Sequence, residues 1–333
     1  MRFRNLAVLP VMALAATAAS PAARSAEIRR DYHESFQVER GCILSLRHGD
    51  GDVTIRKWDR DAIEIDVHYL AEYRSFGGGE RDFTVEFRQE DGIVEVDGRE
   101  KSETTVGFLI FNVKEYSYTI KAPAYVILDI TGDDGGVDIE GWEGDIEIDL
   151  DDGDILLTGS SPADTRIRSG DGEIELENHE GNIDIEMDDG PVSILGSRSP
   201  RCVIRGGDGG VVVRDSEGDF GIETDDGNID LYRVRAGRID ILTSDGEVDI
   251  ELRDTGTIEM DARTADGDVA VRFPEGLGAQ FTIDSDGGVI RADLPSAVNL
   301  QKGENWLSGS LPGGSGNIRV RTDEGAVTLK QTR

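Results

Sequence analysis

Short runs in which apolar and polar residues alternate recur along most of the chain. Examples are DIEI at 145–148, NIDI at 182–185, RIDI at 238–241 and NIRV at 317–320. Alternation with a period of two predicts short β-strands with one apolar face. Two such strands cannot bury that face alone, so each pair must stack against further copies of itself. We therefore predict an all-β protein.

The strands are separated by turns, and one kind of turn is nearly uniform. It carries a glycine, usually preceded by aspartate, and its glycines lie 18 to 21 residues apart: Gly135, Gly153, Gly172, Gly190, Gly209, Gly227, Gly246, Gly267 and Gly287. Gly325 closes the series 38 residues later. We expect glycine here because it adopts a positive φ, and aspartate because it can bond back to the following amides.

A repeat of 18–19 residues with two short strands predicts a parallel β-solenoid, in which each coil pairs with the coils before and after it. Stacked coils would form a continuous apolar column. The residues predicted to point inward are Ile146, Ile148, Ile155 and Leu157 in one coil and Ile174, Leu176, Ile183 and Ile185 in the next coils.

Three segments are predicted along the chain. Residues 1–26 combine a basic start, an apolar run and small residues, which is typical of a secretory signal peptide. Residues 27–130 contain strand-like runs without the regular repeat, and we interpret them as an N-terminal β region that caps the solenoid. Residues 131–333 form the solenoid repeats, followed by an irregular C-terminal coil and closing strands.

Charge narrows the choice of partner. The 333-residue chain has 68 Asp and Glu against 35 Lys and Arg, a formal net charge of −33. Such a surface repels nucleic acid and favours cations or basic partners. No later stretch is long and apolar enough to insert into a membrane. We expect an exported protein, most simply periplasmic, with the cell surface and secretion as alternatives.

The candidate chemistry lies in a column of aspartates beside the turn glycines, here called the aspartate ladder. It comprises nine aspartates, with Glu324 at the end of the column: Asp134, Asp152, Asp171, Asp189, Asp208, Asp226, Asp245, Asp266 and Asp286. Stacked like charges repel by about 1 kcal/mol in water at 4 Å. Solvation, arginine side chains or bridging Ca²⁺ could relieve this repulsion, since Ca²⁺ takes six to eight oxygen ligands. The chain lacks the repeats of calcium-loaded β-rolls and the EF-hand loop.

No catalytic residues are assigned. The four histidines are scattered, and no cysteine or serine is placed beside them as in a catalytic triad. Elongated β-helices do include polysaccharide-cleaving enzymes, and paired carboxylates could serve glycoside chemistry. However, every coil offers nearly the same acids, whereas an active site should interrupt the repeat. No cofactor other than Ca²⁺ is indicated.

Several stretches resemble one bacterial family in order. FQVERGCILSLRHGDGDVTIRKW at 36–58, YTIKAPAYVILDITGDDGGVDIEGWEGDIEIDL at 118–150 and LSGSLPGGSGNIRVRTDEGAVTL at 307–329 are similar to the DUF4097 family of candidate adhesins. The resemblance covers roughly 30–330 and implies an exported β-solenoid with no established catalytic residues. Members usually have a small polar residue before the turn glycine, where this chain mostly has aspartate.

The expected function is therefore a non-catalytic role in the cell envelope, as an adhesin-like or scaffold protein with a protein or glycan partner. A calcium-binding acidic solenoid is the first alternative, and a polysaccharide-active enzyme is the second.

Overall fold

The computed structural model describes residues 24–76, 80–103 and 108–332. These residues form strands and turns and contain no helix that could span a membrane. The predicted signal peptide, 1–26, lies outside the described residues except for 24–26, with which the first strand begins.

Seven strands precede the regular repeat. They are β1 (Arg24–Gln37), β2 (Ile43–Arg47), β3 (Asp52–Lys57), β4 (Ala62–Phe76), β5 (Glu80–Glu90), β6 (Ile93–Glu103) and β7 (Phe108–Ala122).

The repeat itself occupies the middle of the chain. Its strands are β8 (Ile127–Gly132), β9 (Val137–Glu140), β10 (Ile146–Leu150), β11 (Ile155–Thr158), β12 (Asp164–Ser169), β13 (Ile174–Glu177), β14 (Asn182–Met187), β15 (Val192–Leu195), β16 (Arg198–Gly206), β17 (Val211–Arg214), β18 (Glu217–Thr224), β19 (Ile229–Val234), β20 (Arg238–Thr243), β21 (Val248–Leu252), β22 (Glu259–Thr264) and β23 (Val269–Pro274).

The C-terminal strands are less regular. They are β24 (Ala279–Ser285), β25 (Ile290–Asp293), β26 (Val298–Lys302), β27 (Trp306–Leu311), β28 (Gly316–Thr322) and β29 (Val327–Thr332).

Consecutive strands of the repeat alternate between two facing sheets. Sheet A contains the odd-numbered strands β9 to β23, and sheet B contains the even-numbered strands β8 to β22. Neighbours within each sheet are parallel and in register, so that Ile148 is aligned with Ile130 on one side and Ile167 on the other. Each coil thus contributes one strand to each sheet, and the predicted parallel β-solenoid is confirmed.

The core lies between the two sheets and follows the alternation of the sequence. The eight residues predicted to point inward, from Ile146 to Ile185, are each exposed by 2% or less. Burying one such side chain contributes about 1.5–3 kcal/mol, so the column of aliphatic residues supplies the main driving force for stacking the coils. The prediction of the inward face is confirmed.

One coil at each end is inserted out of chain order. Strands β2 and β3 lie between the β6/β7 coil and the β8/β9 coil. Strands β28 and β29 lie between the β22/β23 coil and the β24/β25 coil. We predicted that the coil with Gly325 closes the series. This prediction is wrong, because that coil lies inside the stack.

Sheet pairing also runs without a break through the predicted boundary at residue 130, which falls within β8. The coils formed by β2/β3 and β6/β7 are parallel to those that follow. Antiparallel pairing begins only further out, where β4 and β1 extend sheet A and β5 extends sheet B. The division into a cap and a solenoid stays a prediction.

The turn glycines form a column in which each one approaches the glycine of the neighbouring coil. A Cβ at Gly172 would lie 2.3 Å from the carbonyl oxygen of Gly153, and one at Gly190 would lie 2.2 Å from that of Gly172. None of these three glycines has a positive φ. The predicted reason for glycine at this turn is therefore wrong, because the turn needs glycine for close packing between coils.

Two histidines are completely buried between the sheets. Nδ1 of His48 lies 2.7 Å from the carbonyl oxygen of Gly51, and Nε2 of His179 lies 3.1 Å from Oγ1 of Thr165. The other ring nitrogen of each has no hydrogen-bond partner among the described residues. Burial lowers the pKa of both histidines to about 4, because a charged ring would lose its hydration.

The glycine column predicts a position-specific cost of adding a methyl group. Gly190→Ala should lower the free energy of unfolding by about 1–3 kcal/mol, because its Cβ would overlap a backbone oxygen that cannot move away. Gly210→Ala is the matched control, since its Cβ would lie 3.6 Å from the nearest carbonyl oxygen. Urea denaturation of both variants checks this, and equal costs would contradict the packing explanation.

The buried histidines predict a loss of stability in acid. A histidine in the unfolded chain has a pKa near 6.5, so protonation favours unfolding as the pH falls from about 6.5 towards 4. The loss amounts to up to about 3 kcal/mol for each ring. An NMR pH titration should find His48 and His179 neutral down to pH 5, whereas exposed His33, whose pKa Asp66 raises, is already charged. Titration of either buried ring near pH 6.5 would refute this.

Candidate functional site

The strand register places most of the aspartate ladder in one line along an edge of the solenoid. Eight of the nine residues precede aligned turn glycines, and all eight are exposed: Asp134, Asp152, Asp171, Asp189, Asp208, Asp226, Asp245 and Asp266. Neighbouring members are one coil apart, which is about 4.8 Å for paired strands.

The ninth predicted member, Asp286, lies one position away from this line. Ser285 is aligned with Thr322, so that Asp286 falls beside Asp323 and Gly287 falls beside Glu324. A Cβ at Gly288 would lie 1.8 Å from the carbonyl oxygen of Gly325, which makes Gly288 the member of the glycine column. Gly287 and Gly288 are adjacent in the sequence, so spacing alone could not show which of them belongs to the glycine column.

Two further acids belong to the line: Asp50, which was not predicted, and Glu324, which was predicted at its end. Asp50 precedes Gly51, which lies beside Gly135 in the glycine column, and Glu324 precedes Gly325. The motif HGDG at 48–51 carries the same Asp-Gly pair and could have revealed Asp50. We call the line formed by Asp50, the eight aligned aspartates and Glu324 the acidic ridge.

Backbone hydrogen bonds between coils continue through the turn and hold the ridge in place. The N–H of Gly170 donates to the carbonyl of Asp151 at 2.6 Å, and the N–H of Gly207 donates to that of Asp188 at 2.6 Å. The turn is therefore a continuation of the sheet rather than a loose loop, and its side chains project at a regular spacing.

The acidic residue after the turn glycine has a structural role that differs from that of the ridge. Oδ1 of Asp154 accepts from the N–H of Glu173 at 2.9 Å, and Oδ1 of Asp268 accepts from the N–H of Ala326 at 2.7 Å. The prediction that the aspartate before the glycine bonds to the following amides is wrong, because it is the carboxylate after the glycine that accepts a backbone N–H, and this N–H belongs to the neighbouring coil.

Buried hydroxyl groups three residues before several turn glycines tie the turn from inside. Oγ1 of Thr264 donates to the carbonyl of Ser244 at 3.0 Å and accepts from the N–H of Gly267 at 3.1 Å. Thr322 makes the same pair of bonds with Ala265 and Gly325. The threonine in TSDG, TADG and TDEG is the sequence signal for this role, whereas Thr224 in TDDG donates to the carbonyl of Gly227.

Arginine neutralises acids on the sheet faces but not on the ridge. Nε of Arg168 lies 3.3 Å from Oε2 of Glu186, and Nη2 of Arg263 lies 2.6 Å from Oδ2 of Asp261. In the described part of the chain, no ion pair involves a ridge carboxylate, and one long hydrogen bond reaches the ridge, from the N–H of Asp208 to Oδ1 of Asp189 at 3.5 Å. The ridge carboxylates thus remain available.

Repulsion along the ridge affects proton binding. Partial desolvation and the charges of Asp245 and Asp208 raise the pKa of Asp226. At the N-terminal end, burial and the neighbouring charge of Asp134 raise the pKa of Asp50. Desolvation is the larger cause of each pKa shift, and the like charges held one coil apart add to it.

Metal binding by the ridge stays a prediction. Among the described residues, no group of three or more His, Cys, Asp or Glu side chains converges as the ligands of a metal ion do. The carboxylates are arranged in a line rather than around a point, so this arrangement does not provide the six to eight oxygens that one Ca²⁺ ion takes.

A groove of about 1170 Å³ runs beside the ridge across the coils from β10 to β18. In each coil, the residue two positions before the turn glycine lines the groove. This residue alternates between an acid and a glycine from one coil to the next: Asp151, Gly170, Asp188, Gly207 and Asp225. The ridge residues Asp152, Asp171 and Asp189 line the groove on successive coils, and Arg168 and Arg205 line it as well. An elongated ligand lying in the groove would therefore meet carboxylates on each of these coils, together with two arginines.

These features define a class of protein: a parallel two-sheet β-solenoid with a glycine-packed edge and an exposed acidic ridge. The Toastrack DUF4097 family matches residues 43–330. The chain belongs to this family, and the resemblance noted from its sequence is confirmed. No curated protein matches it.

Solved structures add little to this assignment. A candidate cell adhesion protein from Clostridium sporogenes ATCC 15579 is 12% identical, with 91% of this chain and 100% of that chain covered and a TM-score of 0.23. Candidate adhesins from Bacteroides fragilis NCTC 9343 and Parabacteroides distasonis ATCC 8503 are 11% and 8% identical, with TM-scores of 0.34 and 0.30. Each of these two covers 90% of this chain and 97% of its own.

Unpaired ridge charges predict that neutralising one of them stabilises the fold. Asp226→Asn should raise the melting temperature at low salt, because it removes repulsion from Asp208 and Asp245. The gain should shrink as NaCl is added, since salt screens exposed charges. Asp184→Asn is the matched control and should not stabilise, because that carboxylate lies 3.4 Å from Arg205.

The same melting experiment tests the calcium hypothesis. If Ca²⁺ bridges ridge carboxylates, CaCl₂ should raise the melting temperature more than NaCl of equal ionic strength, because selective binding to the folded state stabilises it. Equal shifts in the two salts would leave only screening and would count against a calcium ladder.

Proposed function

We propose that the protein is a non-catalytic, adhesin-like binding protein of the bacterial envelope that holds a basic protein partner along its acidic ridge. One observation carries the proposal: the ridge carboxylates are exposed, evenly spaced and free of ion pairs among the described residues. Acids on the sheet faces, by contrast, include many that arginine already neutralises.

A repetitive line of charges suits a partner with an extended basic surface. Each exposed ion pair contributes only about 0.2–1 kcal/mol, so binding would depend on several coils acting together. Such a surface also accelerates encounter with a cationic partner through long-range attraction. The groove beside the ridge offers room for an extended segment of that partner.

We also propose that the protein has no catalytic role, because the positions of the acidic ridge are uniform. Successive ridge positions present the same carboxylate in a similar setting, so no coil is distinguished as a reaction centre. Of the four histidines, His48 and His179 are enclosed in the core, while His33 and His68 lie within 2.7 Å of Asp66 and Asp31 on the N-terminal strands.

Export to the envelope is also proposed, on the support of the N-terminal sequence. Residues 1–26 have the composition of a signal peptide. A periplasmic site is the simplest destination, and the cell surface and secretion remain alternatives. A glycan partner stays a prediction of the sequence.

Binding of an octalysine peptide tests the role of the ridge. A variant that combines Asp152→Asn, Asp171→Asn, Asp189→Asn and Asp208→Asn should weaken binding roughly tenfold, since it removes several exposed ion pairs. The measurement is isothermal titration calorimetry at low salt, with melting curves to confirm that the variant is folded.

The control changes the net charge by the same amount on the sheet faces. It combines Glu147→Gln, Asp184→Asn, Asp249→Asn and Asp261→Asn, all of which are acids that pair with arginine and lie outside the groove. It should weaken octalysine binding much less than the ridge variant. Equal weakening would mean that net charge alone attracts the peptide, and the ridge would lose its assigned role.

A further inference from the structure

One strand glycine, Gly221, is not required by the packing of the solenoid. It lies within β18 and faces outward, since its neighbours Phe220 and Ile222 are buried. Its φ is not positive, and a Cβ there would lie 3.8 Å from Cγ2 of Val203, an ordinary van der Waals contact. Glycine weakens the interior of a strand, and it often marks a place where a ligand approaches the backbone.

Glycines elsewhere in the strands are needed for space. A Cβ at Gly98 would lie 1.8 Å from the hydroxyl of Tyr118, and one at Gly132 would lie 2.1 Å from the ring of His48. Gly221 has no neighbour that would be displaced in this way. The fold therefore explains these two glycines but does not explain Gly221.

The charge pattern on the outer face of sheet B is interrupted around Gly221. In the aligned row that contains Val203 and Gly221, the residues on both sides are charged: Glu147, Arg166 and Asp184 before them, and Asp240, Asp261 and Arg319 after them. In the next row, Leu242 is 47% exposed between Glu223 and Arg263. An apolar spot thus replaces the charges at one place on this face.

The missing side chain leaves a cavity of about 350 Å³ over the backbone of Gly221, here called the glycine slot. Val203 and Leu242 supply its apolar walls. Because neighbouring strands lie about 4.8 Å apart, the absence of one side chain leaves room for one side chain of a partner. Arg205 lines both the slot and the groove beside the acidic ridge, so the two cavities adjoin.

An unpaired negative charge lies at the slot. Among the charged side chains that line it, Glu223 alone has no ion pair in the described part of the chain. Arg205, which is aligned with Glu223, instead lies 3.4 Å from Oδ1 of Asp184. Arg263 lies 2.6 Å from Oδ2 of Asp261. Both arginines are therefore already neutralised, and Glu223 is available to a cationic ligand.

We propose that the glycine slot holds one lysine side chain of the basic partner, an inference that rests on the proposed function of the acidic ridge. The aliphatic stem lies over Gly221 between Val203 and Leu242, and the ammonium group reaches Glu223. Lysine buries its stem on apolar surface in this way while its charge stays in water. The ridge attracts any basic segment, whereas the slot selects a long side chain at one position.

Peptides of equal charge and different stem length test the slot. Isothermal titration calorimetry at low salt compares octalysine with an octapeptide of 2,4-diaminobutyric acid, which carries its charges on shorter stems. The wild-type protein should bind octalysine roughly fivefold more tightly, because only the longer stem covers the apolar walls. Gly221→Val fills the slot without changing the charge and should abolish this preference.

Two further variants complete the test. Glu223→Gln leaves the slot open and should weaken octalysine binding roughly threefold, since it removes one exposed ion pair. Ser193→Val is the matched control, because it adds a valine to an outward position of β15 in sheet A and should leave the preference unchanged. The melting temperature of Gly221→Val should equal or exceed that of the wild type, since valine favours strands.

The outcomes separate the slot from the ridge. A wild-type protein without a preference for octalysine, or a Gly221→Val variant that keeps the preference, would overturn the slot and leave the ridge untouched. The fourfold ridge variant should weaken the binding of both peptides and keep the preference. If that variant binds both peptides as tightly as the wild type while Gly221→Val loses the preference, the ridge fails and the slot stands.

Discussion

The close approach of turn glycines along one edge is the constraint on which the rest of the solenoid depends. At Gly190 and Gly209 a Cβ would overlap the glycine carbonyl of the preceding coil, at 2.2 and 1.9 Å. The turn is therefore packed so tightly that only the smallest residue fits, and hydrogen bonds between coils pass through it. A slip of one residue would turn the apolar face of a strand outward, so the glycine column and the buried aliphatic column specify the same register.

The strand register places the acidic residues in three positions that differ in their hydrogen bonds and ion pairs. Acids after the turn glycine, such as Asp154, accept backbone N–H groups from the next coil and contribute to the fold. Many acids on the sheet faces, such as Asp184, lie beside arginines. The ridge acids have neither role, and the fold holds them at one-coil spacing although their mutual repulsion opposes folding. The proposed binding function rests on these acids, because they cost stability and form no ion pair among the described residues.

The sequence could predict whatever depends on local alternation and on a repeat followed in chain order. The inward positions from Ile146 to Ile185 and eight ridge positions from Asp134 to Asp266 are of this kind. It could not predict the inserted coils, because the spacing between Gly287 and Gly325 is compatible with consecutive stacking and with insertion. Nor could spacing distinguish a glycine needed for its φ from one needed for close packing. The displacement of Asp286 has a similar origin, since either Gly287 or Gly288 could have continued the column.

The inserted coils also explain how a stack of short strands can have stable ends. In a solenoid built strictly in chain order, the last coil contacts a single neighbour and can fray without disturbing the rest. Here β28 and β29 come last in the chain but lie inside the stack, between β22/β23 and β24/β25. Fraying from the C-terminus would therefore separate two other coils and expose their core residues. The β2/β3 coil has the equivalent position at the N-terminal end, where β1 and β5 close the core as well. The C-terminal end differs, because β27 and β26 continue sheet B beyond the β24/β25 coil while sheet A ends at β25.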